Sequence, residues 1–433
     1  MTAQTVDTTP STPVRAVAPI AWKYPIVYSI LALVSLVFFG LIGRDGETTF
    51  RVATEGDFFA IPDLVVSSTV AGLILGILLV IMAVVSVFAA VRRISLGSWF
   101  PMLFGVLFVV SFLAWAGGGS GGVIPMTTLL AGALALSVPL IFGAMCGLVG
   151  ERSGIINIAI EGQLLAGAFL AAVVASVVKN PYAGLLAAPI AGALVAVILT
   201  LFAVKYWVNQ IIIGVVLNVL VVGVTSFLYS TVLTEDPGLW NARQKLPDLA
   251  VPLLSDIPVL GRVLFDQNIL VYIMYVVVIA LQIFVFRSKW GLRMRAVGEH
   301  PKAADTVGIK VNLTRVRNTL LAGAIAGLGG AFFTVGSGLA FGKEMSAGQG
   351  YIALAAMILG RYHPVGALLA ALTFAFADSL QLRLGTMTAS EGGVSIPGDF
   401  LLMLPYIVAL FAVAGVVGRV RVPAADGQPY IKQ

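Results

Sequence analysis

Leu64-Val-Val-Ser-Ser-Thr-Val-Ala-Gly-Leu-Ile-Leu-Gly-Ile-Leu-Leu-Val-Ile-Met-Ala-Val-Val-Ser-Val-Phe-Ala-Ala-Val91 runs from residue 64 to residue 91 without a single charge. A hydrocarbon core about 30 Å thick needs roughly 20 apolar residues in a helix, because backbone polar groups in lipid must bond within their own segment. This stretch is long enough. Comparable runs lie near 25–43, 99–116, 124–149, 157–178, 182–204, 209–232, 268–286, 318–340, 364–382 and 399–418. A further apolar stretch, 346–360, is short and punctuated by Gly348, Gly350 and Gly360, with His363 and Pro364 just beyond it. It reads as a twelfth, broken span. The expected fold is all-α, a polytopic transmembrane helical bundle of about 12 spans.

Composition agrees. Of the 433 residues, 59% are hydrophobic and 11% charged, against roughly a quarter charged in a soluble domain. No polar stretch is long enough to fold separately, so one membrane domain is expected. The pI near 9.4 and net charge of +6 raise nucleic acid as a partner, and the placement of the charges decides against it. Alternating the loops from an inside N-terminus puts 18 of the 26 Lys and Arg inside and 8 outside, while 13 of the 20 acidic residues fall outside. That is the positive-inside asymmetry of a chain embedded in a lipid bilayer. It makes 1–24 and 419–433 cytoplasmic tails. Dropping the short segment would move Arg419, Arg421 and Lys432 outside, which favours keeping it. The first apolar run lacks a small-residue cleavage site and is expected to stay as a span. The lone Cys146 lies in an apolar run, so no intrachain disulfide forms and packing is its expected role.

Loop 233–267 is the longest external segment, with Trp240 among Pro237, Pro247, Pro252 and Pro258. It reads either as an ordered cap or docking surface, or as a plain connector. Small-residue pairs at helical spacing, Gly72/Gly76, Gly143/Gly147 and Gly323/Gly327, predict close helix crossings. The string Leu-Leu-Ala-Gly-Ala recurs at 129–133, 164–168 and 320–324, which chance explains in so Ala-, Leu- and Gly-rich a chain.

The internal loop 287–317 holds eight basic and two acidic residues. Orientation needs its basic residues but not its order. Pro301 suits a first helical turn, Ala303 and Ala304 are strong helix formers, and Gly308 is a natural stop. A short helix parallel to the membrane would carry Glu299 and His300 near its start as a rigid knob.

Within the spans, Glu161 lies beside Asn157 and Gln163, and an ionisable group at that depth is costly enough to need a polar cavity or partner. A helix broken near Gly154 could turn backbone groups toward a solute. The other reading is a helix-to-helix hydrogen-bond network, which the preference of neutral solutes for hydrogen bonds over charge favours. Asn218, Gln282, Gln349 and Asp378 are the remaining polar side chains in or beside spans, and an unpaired Asp378 would cost most. A phosphate-binding Gly-x-x-x-x-Gly-Lys-Ser/Thr loop is missing: the nearest approach, Gly336 to Glu344, is off by one residue and ends in a carboxylate. Two histidines and one cysteine, far apart, make no metal cluster. No catalytic residue or cofactor is expected, and the chain does not supply its own energy.

Gly291-Leu-Arg-x-Arg-Ala-Val-Gly-Glu-x-Pro-x-Ala-Ala-x-x-x-Gly-Ile309 resembles the ATPase-coupling loop of ABC importer permeases of the branched-chain amino acid, ribose and nucleoside group. Glu151-Arg-Ser-Gly-Ile-Ile-Asn-Ile-Ala-Ile-Glu-Gly-Gln163 is similar to that group's other hallmark, and Gly360-Arg-Tyr-His-Pro-x-Gly366 adds to it. The resemblance covers roughly 124–418 and leaves 25–123 as additional N-terminal spans. It implies a core like the vitamin B12 importer type of permease in a bacterial cell membrane. It implies that Arg295, Gly298, Glu299, Ala303, Ala304 and Gly308 dock into a cytoplasmic ABC ATPase. It also implies a second, dissimilar permease and an extracytoplasmic substrate-binding lipoprotein, with this chain forming half of a pore for nucleosides or simple sugars. Asn157, Glu161, Gln163, Asn218, Gln349 and Asp378 are the candidate pathway residues. The competing readings are an ion-coupled secondary transporter using Glu161 and Asp378, and a membrane enzyme, for which no convergent acid, base or nucleophile set is found.

Overall fold

Asparagine side chains mark where several of the apolar runs become helix. Asn180, Asn209 and Asn268 each turn a side-chain oxygen onto the first free backbone N–H groups of the helix that follows. The computed structural model describes residues 22–52, 57–59, 61–94, 96–97, 99–118, 123–390, 403 and 421–432, with α-helical side chains followed as far as Gly385. Among them ten helices are long and apolar enough to cross a membrane: α1 (Lys23–Leu41), α2 (Ser68–Arg92), α3 (Trp99–Gly117), α4 (Met126–Glu151), α5 (Ile160–Val178), α6 (Pro181–Lys205), α7 (Gln210–Leu233), α10 (Ile269–Arg287), α13 (Val311–Gly336) and α15, whose apolar part is Pro364–Gly385. Shorter helices are α8 (Pro237–Trp240), α9 (Leu260–Phe265), α11 (Lys289–Glu299), α12 (Pro301–Thr306) and α14 (Gln349–Leu359).

Several expectations change. The expected span at 346–360 is a helix of 11 residues, about 16 Å long and too short to cross a bilayer alone. The expected span at 399–418 lies outside the described residues apart from Met403. The described residues are mostly helical rather than all-α, and include five short strands: β1 (Glu47–Arg51), β2 (Leu64–Ser67), β3 (Val123–Pro125), β4 (Asp248–Ala250) and β5 (Asp266–Asn268). β2 takes the start of the expected span at 64, where β-branched Val65 and Val66 favour extended backbone, and the helix begins at Ser68.

The chain divides into two compact units, Met1–Gly46 with Val66–Gly118, and Glu47–Val65 with Gly119–Gln433. In the first, α1, α2 and α3 pack through Ala32, Leu79, Met82, Ala83, Phe100 and Phe104. Gly72 and Gly76 admit α1: a Cβ on Gly76 would lie 2.8 Å from the Leu36 Cα, and one on Gly72 would strike the Phe39 carbonyl.

The second unit is built around α4, whose residues from Ser137 to Glu151 are all buried. α5, α6, α13, α14 and α15 pack about this unit's core. At the crossing of α6 and α13 a Cβ on Gly323 would lie 2.5 Å from the Gly192 carbonyl oxygen, so both helices need the bare backbone. Segment 233–268 is ordered by β4 and β5, paired antiparallel with Asp248 opposite Asn268, and by the Arg262–Asp57 ion pair at 3.2 Å.

Candidate functional site: a polar node and a loop module

After α4 the chain turns sharply through Arg152–Ala159, with Gly154 at φ +87°. α5 starts three residues later than expected from composition, at Ile160, and Asn157 therefore sits in the turn rather than on the helix. Glu161 occupies the first turn of α5, where an acid complements the helix dipole. Its carboxylate is almost fully enclosed. Oε1 accepts from the Ser346 hydroxyl at 2.6 Å and the Gly348 N–H at 2.8 Å, and Oε2 accepts from the Gly350 N–H at 2.6 Å. These N–H groups belong to the start of α14, where helix donors lack intrahelical partners. Glu161 therefore caps a second helix and staples it to α5. The approach is so close that a Cβ on Gly350 would collide with the Glu161 backbone.

Asn218, from α7, completes the joint. Its Oδ1 accepts from the Gly162 N–H at 2.8 Å, and its Nδ2 donates to the Ile158 carbonyl at 2.9 Å and the Tyr351 hydroxyl at 3.0 Å. Deeper in, Asn157 Nδ2 donates to Gln163 Oε1 at 3.0 Å and to the Cys146 sulfur at 3.1 Å. Asn157 Oδ1, Gln163 Nε2 and Gln349 Oε1 have no hydrogen-bond partner among the described residues. Five of the six expected pathway residues thus gather around the starts of α5 and α14. Asp378 does not. It lies half-buried on α15 beside Ser379, whose hydroxyl donates to the Leu129 carbonyl, roughly 25 Å along α4 from Cys146. Asp378 has no hydrogen-bond or ion-pair partner among the described residues. Ser346 and Tyr351, which complete the node, escaped sequence reading because neither residue type is unusual in an apolar helix or loop.

The basic loop folds as two helices. α12 starts at Pro301 and the chain leaves it through Gly308 at φ +85°, as the residue types predict. α11 was not expected, although Ser288 is a fair signal: its hydroxyl accepts from the Gly291 N–H at 3.0 Å. Of the six expected coupling residues, Glu299, Ala303 and Gly308 are exposed, Arg295 is half-buried, and Gly298 and Ala304 are buried. Leu292 and Val307 are apolar residues exposed on the same loop, at 62% and 75%. Arg295 and Arg152 both stand over the Phe286 ring, at 5.5 and 5.0 Å, and His363 stacks on it at 4.9 Å. Arg152 Nε and Nη2 donate to the Tyr362 carbonyl at 2.9 and 2.6 Å, holding a turn in which Arg361 and Tyr362 both have positive φ. Burial, then the neighbouring Arg295, draws the Arg152 guanidinium below its ordinary value, against the pull of Glu299. Burial and then Arg152 likewise lower His363. Among the described residues no group of His, Cys, Asp and Glu could hold a metal ion.

Ten helices among the described residues that are long and apolar enough to cross a membrane, one of them joined to a half-length helix by a buried carboxylate, define an integral, multi-pass membrane protein. Residues 129–413 match the branched-chain amino acid transport system / permease component family, and the chain belongs to it. It is 38% identical over 318 residues to the guanosine ABC transporter permease protein NupQ of Bacillus subtilis (strain 168), covering 69% of this chain and 95% of that one. It is 36% identical over 316 residues to the nucleoside ABC transporter permease protein NupC of Lactococcus lactis subsp. cremoris (strain MG1363), covering 70% and 96%. The putative glucose ABC transporter permease protein TsgC13 of Haloferax volcanii is 29% identical over 282 residues, covering 63% and 84%. No solved structure matches the chain. The family match begins at residue 129, beyond α1, α2 and α3.

Proposed function

We propose that this chain is one of two membrane-spanning halves of an ATP-driven importer of nucleosides. The observation that carries this is similarity over nearly the whole length of permeases named for guanosine and for nucleosides. A simple sugar is the second reading, favoured by the weaker similarity to a permease named for glucose. In this reading the chain crosses the membrane twelve times, counting α14 with its preceding turn and 399–418, around a core of the vitamin B12 importer type. Segment 233–267 faces outward, toward a substrate-binding lipoprotein, and the α11–α12 loop faces the cytoplasm.

Energy comes from a separate ATPase. Glu299, Ala303 and Gly308, with Leu292 and Val307, form the surface that meets it, while Arg295, Gly298 and Ala304 hold that surface in shape. Asp378, which has no partner among the described residues, is the carboxylate that meets a hydroxyl-bearing solute, and the Glu161 node sets the position of α14. The test is uptake of labelled guanosine by a transport-deficient host expressing this chain with its ATPase, partner permease and receptor. ATP-dependent uptake that survives collapse of the proton gradient, and that excess ribose or glucose does not compete away, is expected. Uptake abolished by an uncoupler at constant ATP would overturn the reading in favour of an ion-coupled carrier.

A further inference from the structure

The segment 421–432 lies beyond the family match, which ends at residue 413, yet it is wound into the loop module. Its backbone pairs with α11: the Ala425 N–H donates to the Gly298 carbonyl at 2.9 Å, and the Ala424 N–H donates to Glu299 Oε2 at 3.2 Å. Tyr430 is buried with Val297, Ala304 and Val311, which joins α11, α12 and α13 in one small apolar cluster. Gly427, at φ +72°, lies so close to Ile156 that a Cβ would come within 2.6 Å of its side chain. The segment therefore touches both hallmark stretches, 151–163 and 291–309.

Arg315 is the centre of this arrangement. It is 1% exposed, an unusual state for an arginine, and both of its Nη groups donate to backbone, while Nε has no hydrogen-bond partner among the described residues. Nη1 donates to the Gln428 carbonyl at 2.7 Å and Nη2 to the Ala425 carbonyl at 3.4 Å. A Cβ on Gly154 would lie 2.8 Å from the same Nη2, so the turn after α4 is shaped to admit the guanidinium. The planar fork suits two carbonyls at once in a way that a lysine ammonium does not.

We propose that residues 421–432 are a strap binding the α11–α12 loop to the turn after α4, so that the two move as one body during coupling, with Arg315 as its positioning residue. Motion delivered to the loop then reaches α4 and the Glu161 joint, instead of being lost in a flexible connection. The proposal rests on the coupling role of the loop.

Its test uses the assembled importer and three forms of the chain: one ending at residue 420, Arg315→Met, and Arg315→Lys. Two quantities are read, amide hydrogen exchange across Lys289–Thr306 and solute imported per ATP hydrolysed. The truncation and Arg315→Met are expected to speed exchange at least tenfold and to lower the transport ratio at least fivefold while ATP hydrolysis continues. Arg315→Lys should lose less, and a peptide of residues 421–433 added to the truncated chain should restore at least half of the ratio. Should the truncated chain fail to accumulate, the two Arg315 variants decide alone. Unchanged exchange, or a loss that neither the peptide nor the lysine relieves, overturns the strap. An unchanged transport ratio also overturns it, and if Ala303→Asp is equally silent the coupling role of the loop falls with it.

Discussion

Glu161 and Asp378 are both carboxylates within apolar helices, but their surroundings among the described residues differ. Glu161 is 7% exposed and spends its oxygens on three donors, so its acceptor capacity serves the protein. Replacing it with alanine would strand those donors, each at about 1–3 kcal/mol when buried. Glu161→Ala is therefore expected to lower the melting temperature and membrane abundance together, with uptake lost as a consequence. Asp378 makes no such contacts among the described residues, so Asp378→Asn should leave abundance and melting unaltered and lower uptake about tenfold. Thermal melts in detergent beside uptake per molecule separate the two. Normal uptake by Asp378→Asn at normal abundance would remove that residue from the solute route.

At the scale of elements, the α11–α12 loop presents a surface and conceals a foundation. Ala303 is exposed while Ala304 packs against Val297, Val311 and Tyr430, although the two are adjacent and alike in sequence. A charge at Ala304 would therefore damage the loop itself, whereas Ala303→Asp tests docking alone. Glu299→Arg is intermediate, since the Glu299 carboxylate also accepts from Ala424. Breaking a charged contact buried at an interface costs roughly 2–5 kcal/mol and an exposed rim contact much less. Both variants should insert normally, retain the ATPase less well in detergent, and reduce uptake with the receptor-stimulated part of ATP hydrolysis. Full retention and full stimulation in both would remove the docking assignment.

For the whole molecule, the charge asymmetry carries an orientation. With Cys146 replaced by alanine, single cysteines within 233–267 should react with an impermeant thiol reagent from outside, and those within 287–317 only after the membrane is opened. Labelling of both from the same side would overturn the scheme and the transport geometry built on it. The first unit, α1 to α3, lies outside the family match and has its own core and internal small-residue crossings. The polar node and the loop module are built wholly from residues beyond 144.

Sequence alone determined the membrane class, the ten membrane-length helices among the described residues and the family, because the physics of lipid writes long uncharged runs into a chain and the loop 291–309 has an ordered pattern. It also placed five of the polar node residues, since a polar side chain in an apolar run is conspicuous wherever it points. Partners across the chain stayed hidden. Ser346, Gly348 and Gly350 lie more than 180 residues from Glu161, and only folding shows that its carboxylate is spent while Asp378 has no partner among the described residues. Arg315 counted in sequence as one more inside charge. Only the tertiary structure decided that it is buried against the carbonyls of residues 425 and 428, because a desolvated guanidinium must take its hydrogen bonds from whatever backbone the fold brings to it.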